Sequence, residues 1–179
     1  MASRLVFLAL VLASVSYFSF VVARRLSGLR GARADLRFDR LGERLTRVFR
    51  EVVLQERVLR RRPWAGLMHA LVMWGFFVFA WIGLEHARAY TSGYEAFAAA
   101  WAVAVLVGIV ALAFRRFVLR PQALGDKPSL GSAAVAVLIV VLMGSYLGLW
   151  RGDAASTPGW AAMWWVHTAA LLGMLWVIP

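Results

Sequence analysis

Cysteine is absent from the 179 residues, histidine occurs only three times, and nine acidic residues stand against twenty lysines and arginines. Without Cys there can be no disulfide, no Cys-ligated iron–sulfur cluster and no Cys zinc site within these residues. Any metal or redox chemistry must therefore use His, carboxylates or a bound cofactor. Acidic residues are nearly missing from the apolar runs, and there is no evident inverted repeat or pair of broken helices. Both absences weigh against a small ion-coupled transporter.

What is present is apolar. The chain is 62% hydrophobic, with nine Trp and eleven Phe, whereas a soluble domain carries roughly 45–50% apolar residues. The formal net charge of +11 would suit a nucleic-acid partner if it were spread over a surface. Instead, thirteen of the twenty basic residues lie between Arg24 and Arg62. Apolar blocks split by one basic block describe an integral membrane protein, and no nucleic acid is expected as a partner.

Apolar runs occur at about 5–23, 65–86, 95–114, 131–150 and 159–179. Each is close to the ~20 residues that a helix needs to cross a bilayer. The sequence thus predicts an all-α bundle of five transmembrane helices forming a single membrane domain over 1–179. The first run is followed, not preceded, by its strongest positive charge, Arg24-Arg25. That pattern describes an uncleaved helix with its N-terminus outside, not a secretory signal. The connections agree. The 24–64 loop and the 115–130 loop, with Arg115, Arg116, Arg120 and Lys127, are basic and so cytoplasmic, while 87–94 and 151–158 carry one Arg each.

Within the basic loop, Leu41, Leu45, Val48, Val52 and Leu59 largely follow three- and four-residue steps, with Phe38 and Phe49 beside them. This predicts a cytoplasmic amphipathic helix over about 40–61. It would either anchor to anionic lipid or dock a soluble electron-transfer partner. Pro179 closes the last run without a charged flank, and a longer natural polypeptide is expected.

All three histidines fall in or beside these runs. A histidine in hydrocarbon must find a partner, because an unpaired polar group there costs several kcal/mol. His69 lies one turn inside the second run, His86 at its outer end, and His167 within the last run. The seventeen residues between His69 and His86 span ~25 Å of helix. The two cannot share a metal, but each could serve one of two hemes stacked across the membrane. The same spacing leaves His86 about 100° around the helix, so one face holds both only if the helix ends or unwinds near Glu85. His86 also reads as an interfacial histidine in contact with water. For His69 and His167 the competing reading is a core histidine hydrogen-bonded to a backbone carbonyl or a Ser/Thr of another helix. A backbone carbonyl or the Thr168 hydroxyl would orient the His167 ring.

Other features support a heme site less directly. Gly66, Gly75 and Gly83 thin the second run enough for a flat macrocycle or a packed helix to approach, and Gly144 with Gly148 forms a GxxxG pair. Arg60, Arg61 and Arg62 border the cytoplasmic end of the second run, where heme carboxylates would meet cations and where topology alone also places them. Glu85, Arg88 and Tyr90 are candidate quinone-side groups against a background of ordinary loop polarity. Trp64, Trp150 and Trp160 fit an aromatic belt.

The run LQERVLRRRPWAGLMHALVMWGFFVF, three further spans and WWVHTAALLGMLWVIP resemble the heme b membrane domain of the respiratory nitrate reductase gamma subunit. They look closer still to the version fused to a C-terminal iron–sulfur domain in heterodisulfide-reductase-like membrane oxidoreductases, some of which link electron-transfer flavoprotein to menaquinone. The likeness covers nearly the whole chain and rests on Gln55-Glu56-Arg57, the GLMHA-WGF block and the tryptophan-rich histidine of the last span.

This resemblance implies two b hemes held by histidines of the second and last spans, in a bacterial inner membrane. His69 would be the cytoplasmic-side iron ligand and His167 an outer-side ligand with His86 as its possible partner. The other cytoplasmic-side ligand would be expected beyond Pro179. Arg61 and Arg62 would pair with the heme carboxylates. The iron–sulfur clusters would lie in a C-terminal part that these residues do not include. The implied role is a diheme conduit between a cytoplasmic iron–sulfur or flavoprotein donor and the quinone pool, as part of a quinone reductase or quinol dehydrogenase. The alternative is a heme-free membrane anchor or sensor module.

Overall fold

The computed structural model describes residues 2–31, 39–85, 92–122, 129–152 and 158–178. Among them every regular element is helical. Helix α1 (Ala2–Ser27) runs into a 3-10 turn, and α2 (Leu41–Val48) continues through a π turn at Phe49–Val53. Then come α3 (Glu56–Arg61), α4 (Pro63–Glu85), α5 (Ser92–Phe114) with a π turn at Arg115–Leu119, α6 (Leu130–Arg151) and α7 (Trp160–Val177). The helices α1, α4, α5, α6 and α7 are each long and apolar enough to cross a membrane.

Local chemistry sets where these helices begin. Pro63 opens α4, where a missing N–H costs nothing. Ser129 caps α6 by accepting a bond from the Ser132 N–H at 3.0 Å. Gly159, at φ +79°, turns the chain into α7 in a conformation that residues with a Cβ avoid. Between their ends the long helices are apolar on all sides, so burial cannot choose a single inward face, and small residues decide the packing instead.

The helices pack in the order α1, α7, α6, α5, α4, each against the next. The core lies where α5, α6 and α7 meet, at Ala102, Val105, Leu142, Met143 and Ala170. Gly75 of α4 abuts the Val105 side chain, and Gly108 of α5 abuts the Met68 carbonyl. Gly148 of α6 abuts Met163 of α7, whereas a Cβ on Gly144 would meet nothing within 4 Å. Only one glycine of the GxxxG pair therefore serves packing inside this chain. Helix α1 is held at the other edge, where Tyr17 stacks on Trp176 at 4.1 Å and the Trp176 indole donates to Ser14 at 3.0 Å.

The basic loop differs from its sequence reading. The amphipathic pattern over 40–61 is not one helix, because it breaks at Leu54 and Gln55. Gln55 adopts φ 54° and is almost fully buried. Its amide donates to Val52 O at 3.3 Å and reaches Met73 Sδ at 2.9 Å, while the Trp74 indole donates to Val53 O at 3.1 Å. Helix α3 thus doubles back along α4, and Gln55 sits about 15 Å along α4 from Pro63. Gly66 makes this possible, since a Cβ there would lie 2.8 Å from Leu59 Cα. Upstream of the break, Leu41, Leu45, Val48, Phe49 and Val52 stay exposed, as an outward-facing amphipathic stripe requires. Arg50 pairs with Glu56 across the break at 2.7 Å, and Arg60 pairs with the same carboxylate within α3 at 2.5 Å.

Candidate functional site

Two histidines fall within the described residues, His69 on α4 and His167 on α7. No packing interface joins these two helices among the described residues, and α6 lies between them. Their relative heights follow from side-chain contacts. His167 meets Ser145 of α6, with Nδ1 and Oγ 2.9 Å apart. The next residue, Tyr146, packs edge-on against Phe79 of α4, with ring centroids 5.1 Å apart. His167 therefore lies near the level of Phe79, ten residues or about 15 Å along α4 from His69.

Rotation about each helix axis follows in the same way. Around α4, the contact with α5 at Gly75 comes first, then the contact with α6 at Phe79, then His69 about 80° further on. Around α7, His167 lies about 40° past Met163, which meets α6, and short of Trp164, which meets Phe7 of α1. Both histidines are thereby turned toward the flank on which α4 and α7 look at each other past α6. The arrangement brings two imidazoles to one side of the bundle at separate heights. It does not bring them to one another.

Their surroundings differ. His69 is exposed on the surface of α4, and His167 is half-buried. The hydroxyl that meets His167 comes from Ser145 and not from its sequence neighbour Thr168. A Ser or Thr of another helix is the partner that the core-histidine reading expects, although the sequence alone did not single out Ser145. The available signal was a hydroxyl buried in an otherwise apolar helix, next to the helix that carries the histidine.

The described residues hold no group of three or more His, Cys, Asp or Glu that could bind a metal ion. They supply one imidazole at each level. On α4 the level of His167 belongs to Phe79, so a bis-histidine pair is not completed there. His86, Arg88 and Tyr90 lie outside the described residues, and Glu85 is the last residue of α4. Arg61 and Arg62 are exposed at the elbow between α3 and α4, with Arg62 about 10 Å along the chain axis from His69. Gly66 and Gly75 are filled by Leu59 and Val105, so neither leaves room for a macrocycle. The sequence element at Gln55 is now explained as well: it forms the elbow that folds α3 onto α4.

A curated protein named EtfAB:quinone oxidoreductase, from Syntrophomonas wolfei subsp. wolfei, is 29% identical to this chain over 149 residues. The match covers 76% of this chain and 21% of that protein. This chain is a distant relative of part of that protein. It spans about a fifth of the relative's length, and the name ties the relative to a quinone and to electron-transfer flavoprotein. No family model matches the chain, and no solved structure matches it.

Proposed function

We propose that the chain is the membrane-embedded electron-conducting part of a quinone-linked oxidoreductase whose donor is a cytoplasmic flavoprotein or iron–sulfur domain. The observation that carries this reading is the placement of two imidazoles about 15 Å apart in height on facing flanks of α4 and α7. The distant relationship to a part of EtfAB:quinone oxidoreductase supports the donor and the acceptor. The basic blocks at 24–62 and 115–127 support a cytoplasmic position for those loops and so an N-terminus outside, and the resemblance supports a bacterial inner membrane.

The residues present suit heme b in part, with one nitrogen ligand at each level. His69 would serve a center near the cytoplasmic side and His167 one nearer the outside, where His86 is the candidate second ligand. Such hemes supply reversible one-electron iron chemistry when bound. Arg61 and Arg62 stand at the cytoplasmic start of α4, where they would neutralise heme carboxylates. Quinone would meet the outer end near Glu85, Arg88 and Tyr90.

The test is a reduced-minus-oxidised visible spectrum of the purified chain loaded with heme, followed by mixing with a quinol or quinone. A sharp heme band that responds to quinone is the expected result. Absence of any such band in chain purified from heme-replete cells would show that the helices only anchor a neighbouring domain.

A further inference from the structure

We infer that Ser145 of α6 is a positioning residue for His167, fixing the imidazole in the tautomer that leaves Nε2 as the acceptor able to bind iron. The inference deepens the proposed heme reading and rests on it for the identity of the ligand, but the tautomer itself follows from geometry alone.

Ser145 Oγ has one proton and two lone pairs. It lies 2.6 Å from Val141 O, 3.1 Å from Leu142 O and 2.9 Å from His167 Nδ1. The shortest of these contacts goes to a carbonyl, which can only accept, so the hydroxyl proton belongs there. This is the back-bonding to the i−4 carbonyl that serine makes inside helices. With its proton committed, Oγ can only accept from the ring, and Nδ1 must carry the hydrogen. Neutral imidazole has a single N–H, so Nε2 keeps its lone pair. The Leu142 carbonyl, 3.1 Å from Oγ, is also within reach of the ring and, being an acceptor, can only take a ring N–H.

The opposite tautomer would set the Nδ1 lone pair against the Oγ lone pairs, or would draw the proton from Val141 O. Ser145 is only 7% exposed, so water is not available to repair either arrangement. Val141 O, Ser145 and His167 thus form a short relay from the backbone of α6 into α7, and its far end is the Nε2 lone pair. A ligating histidine that donates its other N–H is oriented by that bond and made more basic. Ser145 supplies the bond here from a rigid helix.

The test uses the 179-residue chain with ¹⁵N-labelled histidine in lipid nanodiscs, without and with added heme. Only three rings contribute, and His167→Gln assigns the relevant one. Wild-type chain and Ser145→Thr should show the Nδ1–H tautomer at His167, whereas Ser145→Ala should shift the ring toward the Nε2–H form. With heme, Ser145→Ala should hold the His167-linked heme ~10-fold less tightly or worse and raise its midpoint potential, and Ser145→Thr should restore both. An unchanged tautomer in Ser145→Ala overturns the inference, as does unchanged heme affinity and potential in a chain that binds heme. A wild-type chain that takes up no heme sinks the functional reading instead, and the tautomer shift then decides the role of Ser145 by itself.

Discussion

His69 and His167 sit about 15 Å apart in height, with no contact and no shared partner, so their losses should be independent. His167→Ala is expected to remove one heme, or leave it five-coordinate, while the band linked to His69 persists; His69→Ala should do the reverse. Quantified heme per chain together with low-temperature spectra reads both. Loss of all heme from either single variant would mean that the two rings serve one center. His167→Gln should not substitute as an iron ligand, since an amide is a poor nitrogen donor. No other histidine lies on α7, and its methionines Met163 and Met174 are displaced by about one and two turns.

At the level of elements, glycine does different work at different places. A Cβ on Gly108 would come within 2.9 Å of the Met68 carbonyl, which belongs to a rigid helix backbone. Gly108→Leu should therefore separate α4 from α5 at a cost of about 1–3 kcal/mol, read as a lower unfolding midpoint in detergent. Gly144→Leu, in open space on α6, should leave that midpoint where it is. The elbow of the basic loop depends on charge as well. The Arg50 guanidinium bonded to Glu56 holds its carboxyl below the usual carboxylate range, and Arg60 adds to the effect. A depressed acid pKa means that this tie is fully present above the ordinary Glu value and is lost only as pH falls through the lowered one. A spin label at Thr46→Cys, in a chain with no other cysteine, should stay ordered at neutral pH and loosen below that range. Glu56→Gln should be loose throughout, and a pH-independent label signal in the parent chain would contradict the sign.

For the molecule as a whole, orientation governs which histidine would face the cytoplasmic donor of the proposed function. A reporter fused after Gly31 should be active only in the cytoplasm, and one fused within 152–157 only outside. The reverse pattern would exchange the sides of His69 and His167 and remove the cytoplasmic donor from the scheme.

Five long helices and their approximate bounds were legible in the sequence, because bilayer thickness acts on length and composition alone. Even the two histidines stood out, since polar groups are few in those runs. What tertiary structure decided is everything that depends on which helices touch. The helices are apolar all round, so periodicity names no inward face, and the order α1, α7, α6, α5, α4 emerges only from glycine and side-chain fit. For the same reason the break at Gln55 was invisible: an apolar stripe at helical spacing runs through it, and only contact with Met73 and Trp74 makes the left-handed turn worthwhile. The partner of His167 could not be read along the chain either, because the bond to Ser145 crosses between antiparallel neighbours, and their register is fixed by how α6 and α7 pack.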